Sequence, residues 1–180
     1  MKSVLKTMQT RKYGISEDTI SIFEDIVRTC DRAECEDKFI EAMNGHLTSE
    51  QRFRIWERNG GCQGKGYDGQ RRAFAAEHAD KPLSERLELF ARTFGRNAVL
   101  NGGNTITVRF ACRHGYYKHA PEGRFRFPAP VELYFERCAG GRLYELQKAL
   151  GIKLKIKAVD VSPLSESIVN PVVFTFEIVE

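Results

Sequence analysis

Asn101-Gly102-Gly103-Asn104, followed by Thr105-Ile106-Thr107-Val108-Arg109-Phe110-Ala111-Cys112, marks the point where the chain changes period. The first four residues are a turn signal. After them Ile106, Val108, Phe110 and Cys112 alternate with Thr105, Thr107, Arg109 and Ala111. That is the period-two pattern of a strand with one buried face. The same period returns downstream. Val131, Leu133 and Phe135 alternate with Glu132, Tyr134 and Glu136, which predicts a second strand over 131–137. Ile152, Leu154 and Ile156 alternate with Lys153, Lys155 and Lys157, a strand with one apolar and one solvated face. Val172, Phe174, Phe176 and Ile178 predict the last strand. Between the second and third strands, Gly140-Gly141 is expected to open a helix through Leu143, Leu146 and Leu150, with Gly151 as its stop.

Upstream of residue 101 the apolar period is helical. Ser16 is placed to cap a helix whose first turn holds Glu17 and Asp18, where the dipole favours acids. Ile20, Phe23, Ile26, Val27 and Cys30 follow at helical spacing. The apolar face continues through Phe39, Ile40 and Met43 and is expected to stop at Asn44-Gly45. Thr48-Ser49-Glu50-Gln51 is a capping-box pattern, and Phe53 and Trp56 lie on the apolar face behind it. Asn59-Gly60-Gly61 ends that helix, and another restarts near Asp68. Leu83, Leu87, Phe90 and Phe94 form a stripe closed by Gly95. Helices first and strands afterwards predict an α+β fold. The helical N-terminal half should pack on a mainly antiparallel four-stranded sheet, with order β-β-α-β-β in sequence. A chain of 180 residues fits one domain, with 1–96 as the helical part and 97–180 as the α/β part.

Composition excludes several classes. Apolar residues are 42% and charged residues 29%, an ordinary globular balance. No run approaches the length of a membrane helix, and residues 1–12 carry no apolar stretch of signal-peptide length. The expectation is a cytoplasmic protein. The net charge of +4 is uneven: residues 51–130 carry 15 basic and 7 acidic groups, whereas residues 1–50 carry 7 and 10. A local surplus of this kind attracts anions. The five cysteines are odd in number and include no C-x-x-C pair, so neither a secreted disulfide framework nor a standard zinc spacing is present.

Chemistry-bearing residues gather in the second half. Cys112, His114, His119 and Cys138 give C-x-H-x4-H-x18-C, four groups of the types that zinc prefers. The competing reading of Cys112 is a core thiol on the face of Val108 and Phe110. Cys138 has a separate claim. Between a strand and Gly140-Gly141 it would sit at a helix N-terminus, where exposed amides favour a thiolate and stabilise an oxyanion. Arg137 and Arg142 would add positive charge. His114 or His119 would act as base, and Glu132 or Glu136 would orient it. Against this stands a small buried packing residue at a tight turn. Cys30-Asp31-Arg32-Ala33-Glu34-Cys35 ends the first long helix, and a bend there would bring the two thiols together for metal, redox or core roles. The glycine-rich stretch 60–69 lacks the phosphate-loop order and has no strand before it, so a lid or connector competes with phosphate binding. Arg109, Arg113, Lys118, Arg124 and Arg126 interleave with Phe110, Tyr116, Tyr117, Phe125 and Phe127, a mix used in base stacking and equally in packing a sheet.

The order of thiols resembles that of a group of small cysteine-containing bacterial proteins without assigned function. Their C-G-R-x-x-C-like element matches Cys30 to Cys35. Their aromatic-flanked strand Cys matches Phe110-Ala111-Cys112, and Cys138-Ala139-Gly140-Gly141 and Leu150-Gly151 complete the order. Where that family often has a last-strand Cys, this chain has Val173-Phe174-Thr175. The C-terminal half is also similar to vinyl-reductase-type ligand-binding domains, which hold a small hydrophobic or metal-linked ligand between helices and sheet. A further likeness, through Cys138, is to aminothiazoline-carboxylate hydrolase-like proteins, with Ala158-Val159-Asp160 where their second Cys stands. The Cys/His cluster, together with these resemblances, gives the expectation of a small-molecule or metal-binding domain, with zinc as the candidate metal and Arg137, Arg142, Gly140, Gly141 and Tyr117 around the ligand. A thiol-dependent hydrolase with Cys138 as nucleophile is the alternative, and a basic nucleic-acid module the third.

Overall fold

The structure is a computed structural model that describes residues 1–31, 34–102, 104–110, 131–161 and 172–179. Its elements are α1 (Lys2–Met8), α2 (Glu17–Thr29), α3 (Cys35–His46), α4 (Ser49–Asn59), α5 (Asp68–Glu77), α6 (Leu83–Phe94), β1 (Ala98–Asn101), β2 (Thr105–Phe110), α7 (Val131–Leu150), β3 (Lys153–Asp160) and β4 (Val172–Val179). The fold is α+β, with helices packed against a four-stranded antiparallel sheet.

Local signals set most boundaries. Ser16 Oγ accepts from the Thr19 amide at the start of α2. Thr48 and Gln51 form the reciprocal capping box at the start of α4. Gly95, with φ of 64°, ends α6 in the left-handed region that side chains avoid. Asn44 and Gly45 do not stop α3; they lie in its last turn, and the helix ends only at Leu47.

The strand order in the sheet is β1-β2-β4-β3, so the last strand enters the middle. Ile106 pairs with Phe176 and Val108 with Phe174, while on the other side of β4 Leu154 pairs with Ile178 and Ile156 with Phe176. Ile106, Val108, Leu154, Ile156, Phe174 and Phe176 are buried. α7 packs on β3, α4 packs on both α7 and β3, and α6 packs on β1. The helices of the first half thus supply cover for the sheet, as a half-apolar antiparallel sheet requires.

One element differs from its expectation. Residues 131–137 are not a strand; they are the first two turns of the 20-residue helix α7. The missing fourth strand is β1, paired to β2 across the 101–104 turn. The order β-β-α-β-β therefore survives with a different first member. The reason is burial. Leu133, Tyr134, Phe135, Glu136, Cys138, Ala139, Arg142, Leu143, Glu145 and Leu146 are all buried, so the described side chains of α7 leave almost no solvent face to impose a 3.6-residue stripe. Over five residues, alternating letters then look the same in a helix and in a strand.

Candidate functional site

α7 carries Glu136, Arg137, Cys138, Gly140, Gly141 and Arg142, and their surroundings are now explicit, whereas the side chain of Glu132 lies outside what is described. Gly140 and Gly141 do not open a helix but sit in mid-helix, facing the end of α4. A Cβ on Gly140 would overlap the Trp56 carbonyl, and one on Gly141 would overlap that of Gly61. Gly60 in turn has no room for a Cβ against Gly140, so two glycine pairs let two backbones touch. The Gly61 amide donates to the Arg137 carbonyl at 2.9 Å.

Cys138 consequently has no helix N-terminus beside it. It is buried in the core two residues before the glycine pair, which removes the oxyanion geometry expected of a nucleophile there. Glu136 is committed elsewhere. Arg52 on α4 holds it in a two-pronged ion pair, Nε to Oε2 at 3.0 Å and Nη2 to Oε1 at 3.0 Å. Both side chains are nearly out of water, 13% and 6% exposed. Burial still raises the Glu136 carboxyl above its usual range, with Arg52 opposing.

Arg137 reaches Glu36 on α3 and lies against Gly61. Arg142 donates to the Cys62 carbonyl at 2.9 Å and sits over the Phe110 ring. Arg71 on α5 donates to the carbonyls of Gln63 and Gly64 at 2.8 and 3.1 Å. Glu145 then gathers Arg71, Arg96 and Arg142. The glycine-rich stretch is thus a connector pinned from inside by arginines, with Cys62 held at φ 56° and its thiol exposed. Cys112, His114, Tyr117 and His119 lie outside the described residues. Among the described residues, no three metal-ligating side chains converge.

The open concavity with perturbed ionisation lies elsewhere, between α4 and the outer edge of the sheet. It has a volume of about 560 Å³ and is lined by Glu50, Phe53, Arg54 and Glu57 from α4, Lys155, Ile156 and Lys157 from β3, and Glu177 from β4. Residues 50, 53, 54 and 57 share one helix face because they recur at three- and four-residue intervals. β3 is an edge strand, and its outward amides need acceptors. Gln147 Oε1 takes the Leu154 amide and Glu57 Oε1 takes the Ile156 amide, each at 2.8 Å.

Burial pushes the Glu57 carboxyl above its ordinary value, and the Ile156 amide, Arg54 and Lys155 pull the other way. Lys155 and Glu177 pair across the strands at 2.9 Å. That contact lowers the carboxyl of Glu177 and raises the ammonium of Lys155. Arg54 donates to the Lys12 carbonyl at 2.6 Å and lies over the Tyr13 ring. A half-buried carboxyl of raised pKa in a ligand-sized cleft is the combination expected of a functional site.

Sequence reasoning missed this groove. Its one visible signal was the Lys153, Lys155, Lys157 alternation, read as a solvated face. Nothing in the sequence places Glu57 opposite those lysines. Comparison with protein-family models, curated proteins and solved structures returned no match.

Proposed function

We propose that this protein is a small-molecule-binding domain and that the groove between α4 and β3 takes a small zwitterion such as a free amino acid. The observation that carries the reading is Glu57, a half-buried carboxyl of raised pKa in a cleft that also presents Arg54, Lys155 and Lys157. The lining pairs three basic with three acidic side chains, so a ligand with one charge of each sign matches it better than a polyanion does. Phe53 and Ile156 offer an apolar wall for the ligand's body. In this reading Lys157 meets the carboxylate of the ligand and Glu50 with Glu57 meets its ammonium.

We place the protein in the cytoplasm. Two observations support this: the four described cysteines are thiols, and among the described residues no helix is long and apolar enough to cross a membrane.

The test is a thermal-shift screen of the free amino acids, followed by amide NMR titration of any that raise the melting temperature. At least one should shift the Ile156 amide in a saturable way, and Glu57→Gln should weaken it about tenfold, or about 1.4 kcal/mol. No saturable shift at Ile156 with any amino acid up to about 1 mM overturns the reading.

A further inference from the structure

A second concavity, of about 440 Å³, lies on a different part of the molecule, between the end of α2, the start of α3 and the N-terminus. Cys30 and Cys35 both line it, together with Met1, Asp31 and Glu36. Cys30 is the residue that ends α2, with φ −83° and ψ 143°, and Cys35 is the first residue of α3. The Cys35 amide donates to the Asp31 carbonyl at 3.0 Å, which ties the start of α3 to the residue after Cys30. Lys38 stands three residues along α3 from Cys35; its ammonium is paired with Glu34 at 2.8 Å, and Cys30 adds a smaller attraction. Residues three apart on a helix are neighbours. Cys30 and the first turn of α3, which Cys35 opens, thus face the same concavity. Both residues are half-buried, within reach of a small reagent.

We propose that Cys30 and Cys35 form a reversible dithiol–disulfide site whose oxidant is a low-molecular-weight disulfide such as oxidised glutathione. This goes beyond the ligand-binding reading and does not depend on it. The Cys30 sulfur, as thiolate, attacks one sulfur of the oxidant. A mixed disulfide forms and one glutathione thiolate leaves. The Cys35 thiolate then attacks the Cys30 sulfur. The intramolecular S–S bond forms, the mixed disulfide breaks and the second glutathione thiolate leaves. Two electrons pass from the two protein sulfurs to the oxidant, and the two thiol protons end on the two released glutathiones. A metal is the less suitable occupant, because among the described residues no third ligand joins the two sulfurs.

The closed site would clamp α2 to α3 one residue before Glu36, the partner of Arg137. Arg137 in turn holds Gly61 and the glycine-rich connector. The test uses the full chain equilibrated in oxidised glutathione, quenched by alkylation and mapped by mass spectrometry. The expected result is loss of two alkylatable thiols and a peptide linking Cys30 to Cys35, both reversed by dithiothreitol. Cys30→Ser and Cys35→Ser should each abolish the link and leave a glutathione adduct on the remaining partner. The wild-type map alone also decides, so a poorly folding variant does not matter. Cys30 and Cys35 both still alkylatable, adducts without a link, or a link from either to Cys62 each overturn the proposal.

Discussion

A methyl group at Gly140 would have to occupy the space of the Trp56 carbonyl oxygen, and neither backbone is free to retreat. α4 is fixed at both ends, by the capping box at Thr48 and by the bond from the Gly61 amide to the Arg137 carbonyl. Gly140→Ala should therefore lower the free energy of unfolding by about 3 kcal/mol, the upper end of what overpacking usually costs. Gly45→Ala is the internal control. Gly45 lies in α3 with nothing near its missing Cβ, so alanine should add about 0.5–1 kcal/mol by helix propensity alone. Urea denaturation of the two variants checks both signs. Equal effects at the two sites would mean that α4 and α7 are not in backbone contact. At this scale the sequence was legible where a residue acts on its neighbours. Ser16, the Thr48–Gln51 box and Gly95 do what their types imply. It was illegible where a residue acts across the fold. A glycine pair that breaks a helix and one that admits another backbone are the same letters. Arg52 has no mark in the sequence to join it to Glu136, 84 residues away.

α7 shows why element type is hardest to read at the centre of a molecule. Amphipathic elements announce their period through their wet face, and α7 has almost none. β3 was legible because it keeps such a face in Lys153, Lys155 and Lys157. What its pattern did not reveal is how its open edge is closed. Two side-chain oxygens, the amide oxygen of Gln147 and a carboxyl oxygen of Glu57, take the places of a neighbouring strand's acceptors. Glu57 contributes this at an electrostatic cost, because burial disfavours its charged form. The sign of the pH effect follows. A carboxyl whose folded pKa is raised binds its proton more readily in the folded protein. Stability then rises as pH falls through the folded value, and the gain is complete below the unfolded value of about 4.3. Glu136 adds a slope of the same sign, whereas Glu177, held low by Lys155, gives the opposite slope. Glu57→Gln retains an oxygen for the Ile156 amide while removing the charge. The variant should be more stable than the wild type near neutral pH, and the difference should shrink as pH falls towards 4.3. Urea midpoints at several pH values give the comparison. A difference that grows on acidification would reverse the assignment of burial as the dominant influence on Glu57.

For the molecule as a whole, the grouping of helices before strands was enough to give the α+β class, because a half-apolar antiparallel sheet must find its cover in the rest of the chain. The insertion of β4 between β2 and β3 was not legible, since alternation describes a strand's faces and not its neighbours. The Cys/His cluster illustrates the same limit. Its spacing was read along the chain, but the one member among the described residues, Cys138, is buried in α7 two residues before a glycine pair that packs on Gly60 and Gly61, 80 residues earlier. That packing makes a statement about cooperativity. α4 touches α7 and β3 together, and its Trp56 is the single tryptophan of the chain and fully buried. Trp56 fluorescence therefore reports the junction between the helical part and the sheet, while far-UV circular dichroism reports the helices at large. If residues 1–96 and 97–180 shared only a thin boundary, the two signals would separate. Because the boundary is the core itself, with Trp56, Gly60, Gly61, Gly140 and Gly141 at its tightest point, loss of either part exposes the apolar face of the other. The two urea transitions should coincide in midpoint and slope, as a single cooperative unit requires. A fluorescence transition that runs ahead of the loss of helix would show that the junction opens while the helical part stays folded.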